Sequence, residues 1–198
     1  MLNVGIYPYV YTFTVLVDAL SKEGKANKAD EVLEVMIERR LDPDVVTYNS
    51  LMDGYCLQGQ MDEAMGVFNK MVERGVQPNI FCYNILINGY CKKMKIDEAM
   101  HLFREIPQRG LKPTVDTFNT MLQGLFRFGR CAAAHKLFDE MQVAGINPCT
   151  QTFGILQGGL CKNGSISVAL SLFQTMESNG LNIDVVKYNI LIDAIMQG

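Results

Sequence analysis

Apolar residues recur along this 198-residue chain at helical spacings, without the strict alternation of a half-buried strand. Tyr48, Leu51, Met52 and Tyr55 stand at i, i+3, i+4 and i+7, one face of a helix. Gly59 and Gln60 interrupt that face. Met61, Ala64, Met65, Phe68, Met71 and Val72 then form a second apolar stripe, which Gly75 ends, with Pro78 three residues further on. The pattern predicts two amphipathic helices joined by a tight turn, with acidic residues such as Asp62 and Glu63 on the second.

The same pattern returns. The pentapeptide YNILI occurs at residues 83–87 and again at 188–192, 105 residues apart, which is three periods of 35. Pro43-Asp44, Pro78-Asn79, Pro113-Thr114 and Pro148-Cys149 keep that period, with Pro8-Tyr9 before them and Ile183-Asp184 after. The chain therefore divides into repeats at 10–44, 45–79, 80–114, 115–149 and 150–184. Residues 1–9 are the tail of a preceding repeat, and 185–198 the first helix of a truncated sixth. Aligned on Val10, column four is always aromatic (Phe13, Tyr48, Tyr83, Phe118, Phe153, Tyr188). Column seven is Leu16, Leu51, Leu86, Met121, Leu156 and Leu191. Column twenty is alanine from Ala29 to Ala169, and column twenty-four is Leu33 and then Phe68, Phe103, Phe138 and Phe173. Small and large apolar columns side by side are what interdigitating helices require.

A 35-residue helical hairpin cannot bury both its faces alone, so the expected fold is all-α, an α-solenoid of about five helix-turn-helix repeats. Met1 falls in column twenty-seven beneath Met36, Met71, Ile106, Met141 and Met176, and neither end carries a polar capping helix. The chain is therefore expected to be an excerpt of a longer array or a truncated gene model.

Composition narrows the function. A hydrophobic content of 48% supports a real core, and no apolar run approaches the length of a membrane span. The start of the chain has neither a signal-peptide nor a transit-peptide character. The net charge of −3 argues against a nucleic-acid binder unless the charges are segregated. Six cysteines with no C-x-x-C pair read as reduced thiols. Cys56, Cys91 and Cys161 share column twelve with Ser21, Phe126 and Met196, which marks packing and not zinc ligation. His101 and His135 fall in different columns. The sequon at Asn163 sits at the interhelix glycine and is discounted. No metal site, cofactor or catalytic residue is expected.

The second repeat, PDVVTYNSLMDGYCLQGQMDEAMGVFNKMVERGVQ, and the recurring P-[DNT]-x-x-x-[YF]-N…G-x-C…DEA…F…M…G-x-x-P resemble the pentatricopeptide repeat in its pure 35-residue class, over essentially the whole chain. A 34-residue period with tryptophan would have resembled the peptide-binding tetratricopeptide repeat instead. The third repeat, PNIFCYNILINGYCKKMKIDEAMHLFREI, is similar to the restorer-of-fertility-like plant subfamily. The resemblance implies a non-enzymatic single-stranded RNA binder of an organelle, mitochondrial first and plastid second. In such proteins each repeat reads one base with two side chains.

Carried over position by position, the implied base readers are Thr14 with Asp44, Asn49 with Asn79, Asn84 with Thr114, Asn119 with Cys149, and Gly154 with Asp184. Asn189 begins a sixth pair. Column two would pack against bases through Tyr11, Val46, Phe81 and Val186, whereas Asp116 and Gln151 depart from it and put the grip of the fourth and fifth repeats in doubt. Column thirteen would face phosphates through Lys22, Lys92, Arg127 and Lys162, with Leu57 breaking the series. A carboxylate only accepts hydrogen bonds, so Asp44 favours a base with an imino N–H. With the family's preference for purines beside Thr and pyrimidines beside Asn, the expected target is G-C/U-Y-Y-(G)-(Y), 5′ to 3′ along N to C. Against this stand a peptide-binding scaffold, a capping role for the column-five asparagines, and an ordinary solvated surface for the lysine stripe.

Overall fold

The structure, a computed structural model, describes residues 10–164. Asp184, Val186 and Asn189, with all of 1–9 and 165–198, lie outside the described residues. Within them are nine α-helices and no strand, in two compact blocks that meet between Lys93 and Met94. The first block contains α1 (Val10–Lys22), α2 (Ala26–Glu38), α3 (Val45–Gln58), α4 (Met61–Glu73) and α5 (Ile80–Lys92). The second contains α6 (Ile96–Gln108), α7 (Val115–Arg127), α8 (Cys131–Val143) and α9 (Thr150–Lys162). The all-α hairpin-repeat fold expected from the period is the fold observed.

In the first block α1 packs on its hairpin partner α2 and on α3. α3 then packs on α4 and α5, and α2 and α4 each touch the next first helix. In the second block α7 packs on α6, α8 and α9. The columns explain these contacts. Column four is buried in every described repeat, and column twenty alanines from Ala29 to Ala134 are fully buried. Rings of column twenty-four meet the column-four ring of the following repeat edge-to-face, at 5.6 Å for Phe68–Tyr83, 5.2 Å for Phe103–Phe118 and 6.2 Å for Phe138–Phe153.

Column twelve also finds its reason. Its side chain presses on a glycine in column ten of the next repeat: a Cβ on Gly54 would lie 2.7 Å from Ser21, one on Gly89 2.8 Å from Cys56, and one on Gly159 2.2 Å from the Phe126 ring. Ser, Cys and Phe are interchangeable there because the glycine opposite them leaves room.

Two expectations about the core need correcting. Leu16 is 45% exposed, unlike the buried Leu51, Leu86, Met121 and Leu156 of its column. On α4, Val72 is exposed and Val67 is buried in its place. At 100° per residue Val72 has drifted to the edge of the stripe defined by Ala64, Phe68 and Met71.

Along the second helices, charged pairs link neighbouring repeats. Lys70 of α4 pairs with Glu34 of α2 and lies 3.7 Å from Asp30. Arg104 of α6 grips Glu140 of α8 with two hydrogen bonds, one of 2.9 Å. Glu34 and Arg104 share column twenty-five, and Lys70 and Glu140 share column twenty-six, so the two pairs have opposite polarity. Arg130 likewise holds Asp97 at 2.6 and 3.0 Å.

Each second helix ends in a Schellman motif. Arg40 N–H donates to Ile37 and Leu41 N–H to Met36, and the same pair of bonds recurs at Gly75–Val76, Gly110–Leu111 and Gly145–Ile146. The column-twenty-seven residue thus accepts the closing bond. The left-handed position is glycine except at Arg40, which adopts φ 60°. A side chain there costs about 1–2 kcal/mol, partly offset by the greater freedom of an unfolded glycine. Arg40→Gly is therefore expected to stabilise the chain by about 0.5–1 kcal/mol, read as a higher urea midpoint; a midpoint unchanged or lowered would refute this.

Candidate functional site

The first helix of each repeat begins with amide groups that lack helical acceptors, and the residue in column thirty-five satisfies them. Asp44 caps α3, its Oδ1 accepting from Thr47 N at 2.9 Å and from Thr47 Oγ1 at 2.8 Å. Asn79 caps α5, its Oδ1 accepting from Phe81 N at 3.0 Å, Cys82 N at 3.2 Å and Cys82 Sγ at 3.3 Å. Thr114 caps α7 by a reciprocal pair, Thr117 N to Thr114 Oγ1 at 3.3 Å and Thr114 N to Thr117 Oγ1 at 3.0 Å. Cys149 begins α9, its N–H donating to Thr152 Oγ1 at 3.2 Å. The capping role weighed for column five thus belongs to column thirty-five. The extended backbone that precedes each helix follows from the proline at the start of each dipeptide.

Column five lies one turn inside the helix. Thr14 Oγ1 is 3.1 Å from Val10 O and 2.7 Å from Thr47 Oγ1, so Thr14 and Asp44 are joined through Thr47. Asn119 Nδ2 donates directly to Cys149 Sγ at 3.8 Å. Asn49 makes a side-chain hydrogen bond to Cys82, the residue that donates to Asn79. Three of the implied pairs are therefore gathered into one cluster each. Asn84 belongs to the first block and Thr114 to the second. Gly154 offers no side chain, and a Cβ added there would meet nothing within 4 Å; its partner Asp184 is outside the described residues, as are Asn189 and Val186.

The column-five asparagines share an electrostatic oddity. The Oδ1 atoms of Asn49, Asn84 and Asn119 are buried and accept no hydrogen bond, and Asn119 as a whole is only 3% exposed. A buried acceptor without a donor costs about 1–3 kcal/mol. The same arrangement recurs at this column in three described repeats.

Around this acceptor row, column two is exposed: Tyr11 by 77%, Val46 by 54% and Phe81 by 65%. Asp116 and Gln151 are also exposed but offer no apolar face. Columns two, five, nine and thirteen run at i, i+3, i+7 and i+11, one side of the first helix. At its far end Lys92, Arg127 and Lys162 are exposed and make no ion pair among the described residues. Lys22 departs from them, held by Asp18 of column nine at 2.6 Å. Column nine, with Asp18 and Asp53, and column three, with Thr47, Cys82, Thr117 and Thr152, complete the surroundings. Neither was singled out from sequence, although a hydroxyl or thiol in column three of repeats two to five was a visible signal.

The thiols diverge. Burial pushes Cys56 from the ordinary value of 9 up to about 12, and burial raises Cys82 and Cys161 as well. For Cys149, partial burial would raise the pKa, but hydrogen bonds from Thr152 Oγ1, the Thr152 and Gln151 amides and Asn119 outweigh it, and the net shift is downward.

The PPR repeat family model matches residues 8–56, 43–92, 78–127 and 113–162, and the PPR repeat model matches 152–181. The crystal structure of the pentatricopeptide repeat protein PPR10 in complex with an 18-nt psaJ RNA element is 26% identical and superposes with a TM-score of 0.79 over 96% of this chain, which spans 28% of that protein. The crystal structure of PPR10 from maize is 25% identical, with a TM-score of 0.61, over 96% of this chain and 32% of that one. The PPR domain of Arabidopsis thaliana protein-only RNase P 1, solved with tRNA, is 14% identical. It shares the fold with a TM-score of 0.75 over 94% of this chain and 98% of that domain. No curated protein sequence matches the chain. No described helix is long and apolar enough to cross a membrane.

The thiol environments predict an order of alkylation. At pH 7 Cys149 is exposed and ionises more readily than a free thiol, so it is expected to react first with iodoacetamide, with Cys56 and Cys82 reacting only on unfolding. Peptide mass spectrometry reads the order, and Cys56 labelling ahead of Cys149 would contradict it. Because the folded pKa of Cys56 exceeds its unfolded value, its stabilising contribution is complete below about pH 9 and declines as pH rises from 9 towards 12.

Proposed function

Because the chain belongs to the pentatricopeptide repeat family, we propose that it binds single-stranded RNA sequence-selectively, one base per 35-residue repeat, with the modules 10–44, 45–79, 80–114, 115–149 and 150–184. The observation that carries the reading is the grouping of column-five side chains with the caps of column thirty-five: Thr14 is joined to Asp44 through Thr47, Asn49 to Asn79 through Cys82, and Asn119 to Cys149 directly. The exposed Tyr11, Val46 and Phe81 supply apolar faces against which bases pack, worth about 1–3 kcal/mol for an aromatic. Lys92, Arg127 and Lys162 of column thirteen supply cations on the helix side that carries column five, beside Asp18, Asp53 and Asp116, whereas Asp62, Glu63, Asp97 and Glu98 lie in the first turns of the second helices. This supports local phosphate contacts and not a basic face.

The second repeat shows how the chemistry selects. Asn79 Oδ1 is saturated by three donors from its own helix, so its amide N–H groups face outward. The Asn79 amide complements N3 of cytosine, and the column-five Asn49, bonded to Cys82 in the same cluster, selects the pyrimidine over adenine, whose edge has the same polarity. In the first repeat, Asp44 with Thr14 supports guanine. The full proposal remains G-C/U-Y-Y-(G)-(Y), read 5′ to 3′ along the chain, with the fourth and fifth positions weakened by Asp116, Gln151 and the side-chain-free Gly154.

Occupying such a tract shields it from nucleases, remodels it or presents it to other factors, without chemistry by this chain. The restorer-of-fertility-like flavour of the third repeat supports a mitochondrial setting, with plastids second. The tetratricopeptide alternative gives the unpartnered carbonyls no role.

In a gel-shift series at low and moderate salt, GCCUGU RNA is expected to bind more tightly than AAAAAA, with affinity falling as salt rises. Equal binding of the two, or binding of neither, sinks the proposal. Asp44→Asn keeps the cap, since both residues cap equally well, and is expected to move the first-base preference from G towards A. An unchanged preference would remove Asp44 from the reading pair.

A further inference from the structure

Column three carries no role in base reading so far, yet it touches the reading clusters in every described repeat after the first. Thr47, Cys82, Thr117 and Thr152 are all fully buried, with no area for a base to reach. Each nevertheless hydrogen-bonds the column-thirty-five residue three positions before it: Thr47 to Asp44, Cys82 to Asn79, Thr117 to Thr114 and Thr152 to Cys149. Thr47 and Cys82 also bond the column-five reader of the preceding repeat, Thr14 and Asn49. We propose that column three is a positioning residue of the base code, which sets the donor or acceptor polarity that each reading pair shows to its base. This rests on the RNA-binding reading above and adds a third position to it.

Counting protons makes the case for the first pair. Thr14 and Thr47 have two hydroxyl protons for three contacts: Thr14 to Val10 O at 3.1 Å, Thr14 to Thr47 at 2.7 Å, and Thr47 to Asp44 Oδ1 at 2.8 Å. A carboxylate draws a hydroxyl proton more strongly than a peptide carbonyl already in the helical ladder. The Thr47 proton therefore goes to Asp44, and the Thr14 proton fills the 2.7 Å contact. Thr14 is left showing only lone pairs, and Asp44, with Oδ1 occupied twice by Thr47, shows Oδ2. The pair becomes a double acceptor. Guanine alone presents two adjacent donors on its pairing edge, N1–H and N2–H, whereas uracil has one N–H between two carbonyls. Without the Thr47 hydroxyl, Thr14 turns back into a donor or a free rotor, and the reason to prefer guanine over uracil is lost.

The second pair uses a thiol for the same task. Cys82 Sγ donates to Asn79 Oδ1 at 3.3 Å and accepts from Asn79 N at 3.4 Å. Sulfur is a weaker partner than a hydroxyl, so the orientation of Asn79 is held less firmly than that of Asp44. The code should be stricter at the first base than at the second, for a reason located in column three and not in the readers themselves.

The test compares affinities of the whole chain for GCCUGU, UCCUGU and GUCUGU RNA, since uracil, unlike adenine, reverses the polarity of the cytosine edge. Thr47→Val removes the hydroxyl at constant shape and keeps the backbone amide that Asp44 caps. It is expected to lower the ratio of GCCUGU to UCCUGU affinity by about five- to tenfold, one hydrogen bond's worth. The second-base ratio, GCCUGU to GUCUGU, should stay within twofold, and Thr47→Ser should restore the first ratio. A Thr47→Val protein that discriminates at the first base as well as wild type overturns the proposal. Equal loss at both bases also overturns it, by showing a merely structural role. Cys82→Thr supplies a second reading through gained function: the second-base ratio should rise, and a ratio unchanged or lowered counts against column three. If wild type itself shows no base preference, the RNA reading falls first, and this inference with it.

Discussion

The first turn of a helix needs acceptors for its amide groups, and in this protein that need fixes where the functional side chains stand. Asp44, Asn79 and Thr114 are held by the backbone they cap. A side chain fastened in this way has one orientation and little rotamer entropy left to lose when a base arrives. The proline before each cap keeps the approach extended, and the Schellman closure before the proline sets where the approach begins. In the proposed RNA-binding role, structure and recognition use the same hydrogen bonds, so the cap position needs no separate scaffold.

Burial separates the column-five asparagines from the caps of column thirty-five. The cap sits at the solvent edge, whereas the column-five residue is drawn inward by the helix period until its carbonyl is sealed from water. That placement leaves Asn119 nearly inaccessible and its oxygen unsatisfied.

Much of this was legible in the sequence, because a strict period converts packing into columns. The fully buried Ala29, Ala64, Ala99 and Ala134, and the aromatic contacts of Phe68 and Phe103, are where the columns put them. What escaped depended on neighbours that no single repeat contains. The variable column twelve made sense only once Phe126 was seen over Gly159. Val67 and Val72 exchanged places because a stripe drifts around a helix. The caps at Asp44, Asn79 and Thr114 escaped notice, and capping was weighed only for column five, because a side-chain cap is defined by the amide it reaches, which spacing alone does not show. The Lys22–Asp18 pair was hidden in the same way, since among the five full repeats column nine is acidic in the first two alone.

The reversed polarity of Glu34–Lys70 and Arg104–Glu140 bears on how such an array can grow. Exposed pairs of this kind contribute roughly 0–1 kcal/mol when matched and cost about as much when two like charges meet. A repeat copied to a new place carries its half of a pair with it. The second repeat set behind the third would bring Lys70 against Arg104, whereas two neighbours copied together keep their match. Gene-level expansion of this array is therefore easier by tandem blocks than by single modules, because the charges of the second helices restrict which repeats can stand next to each other.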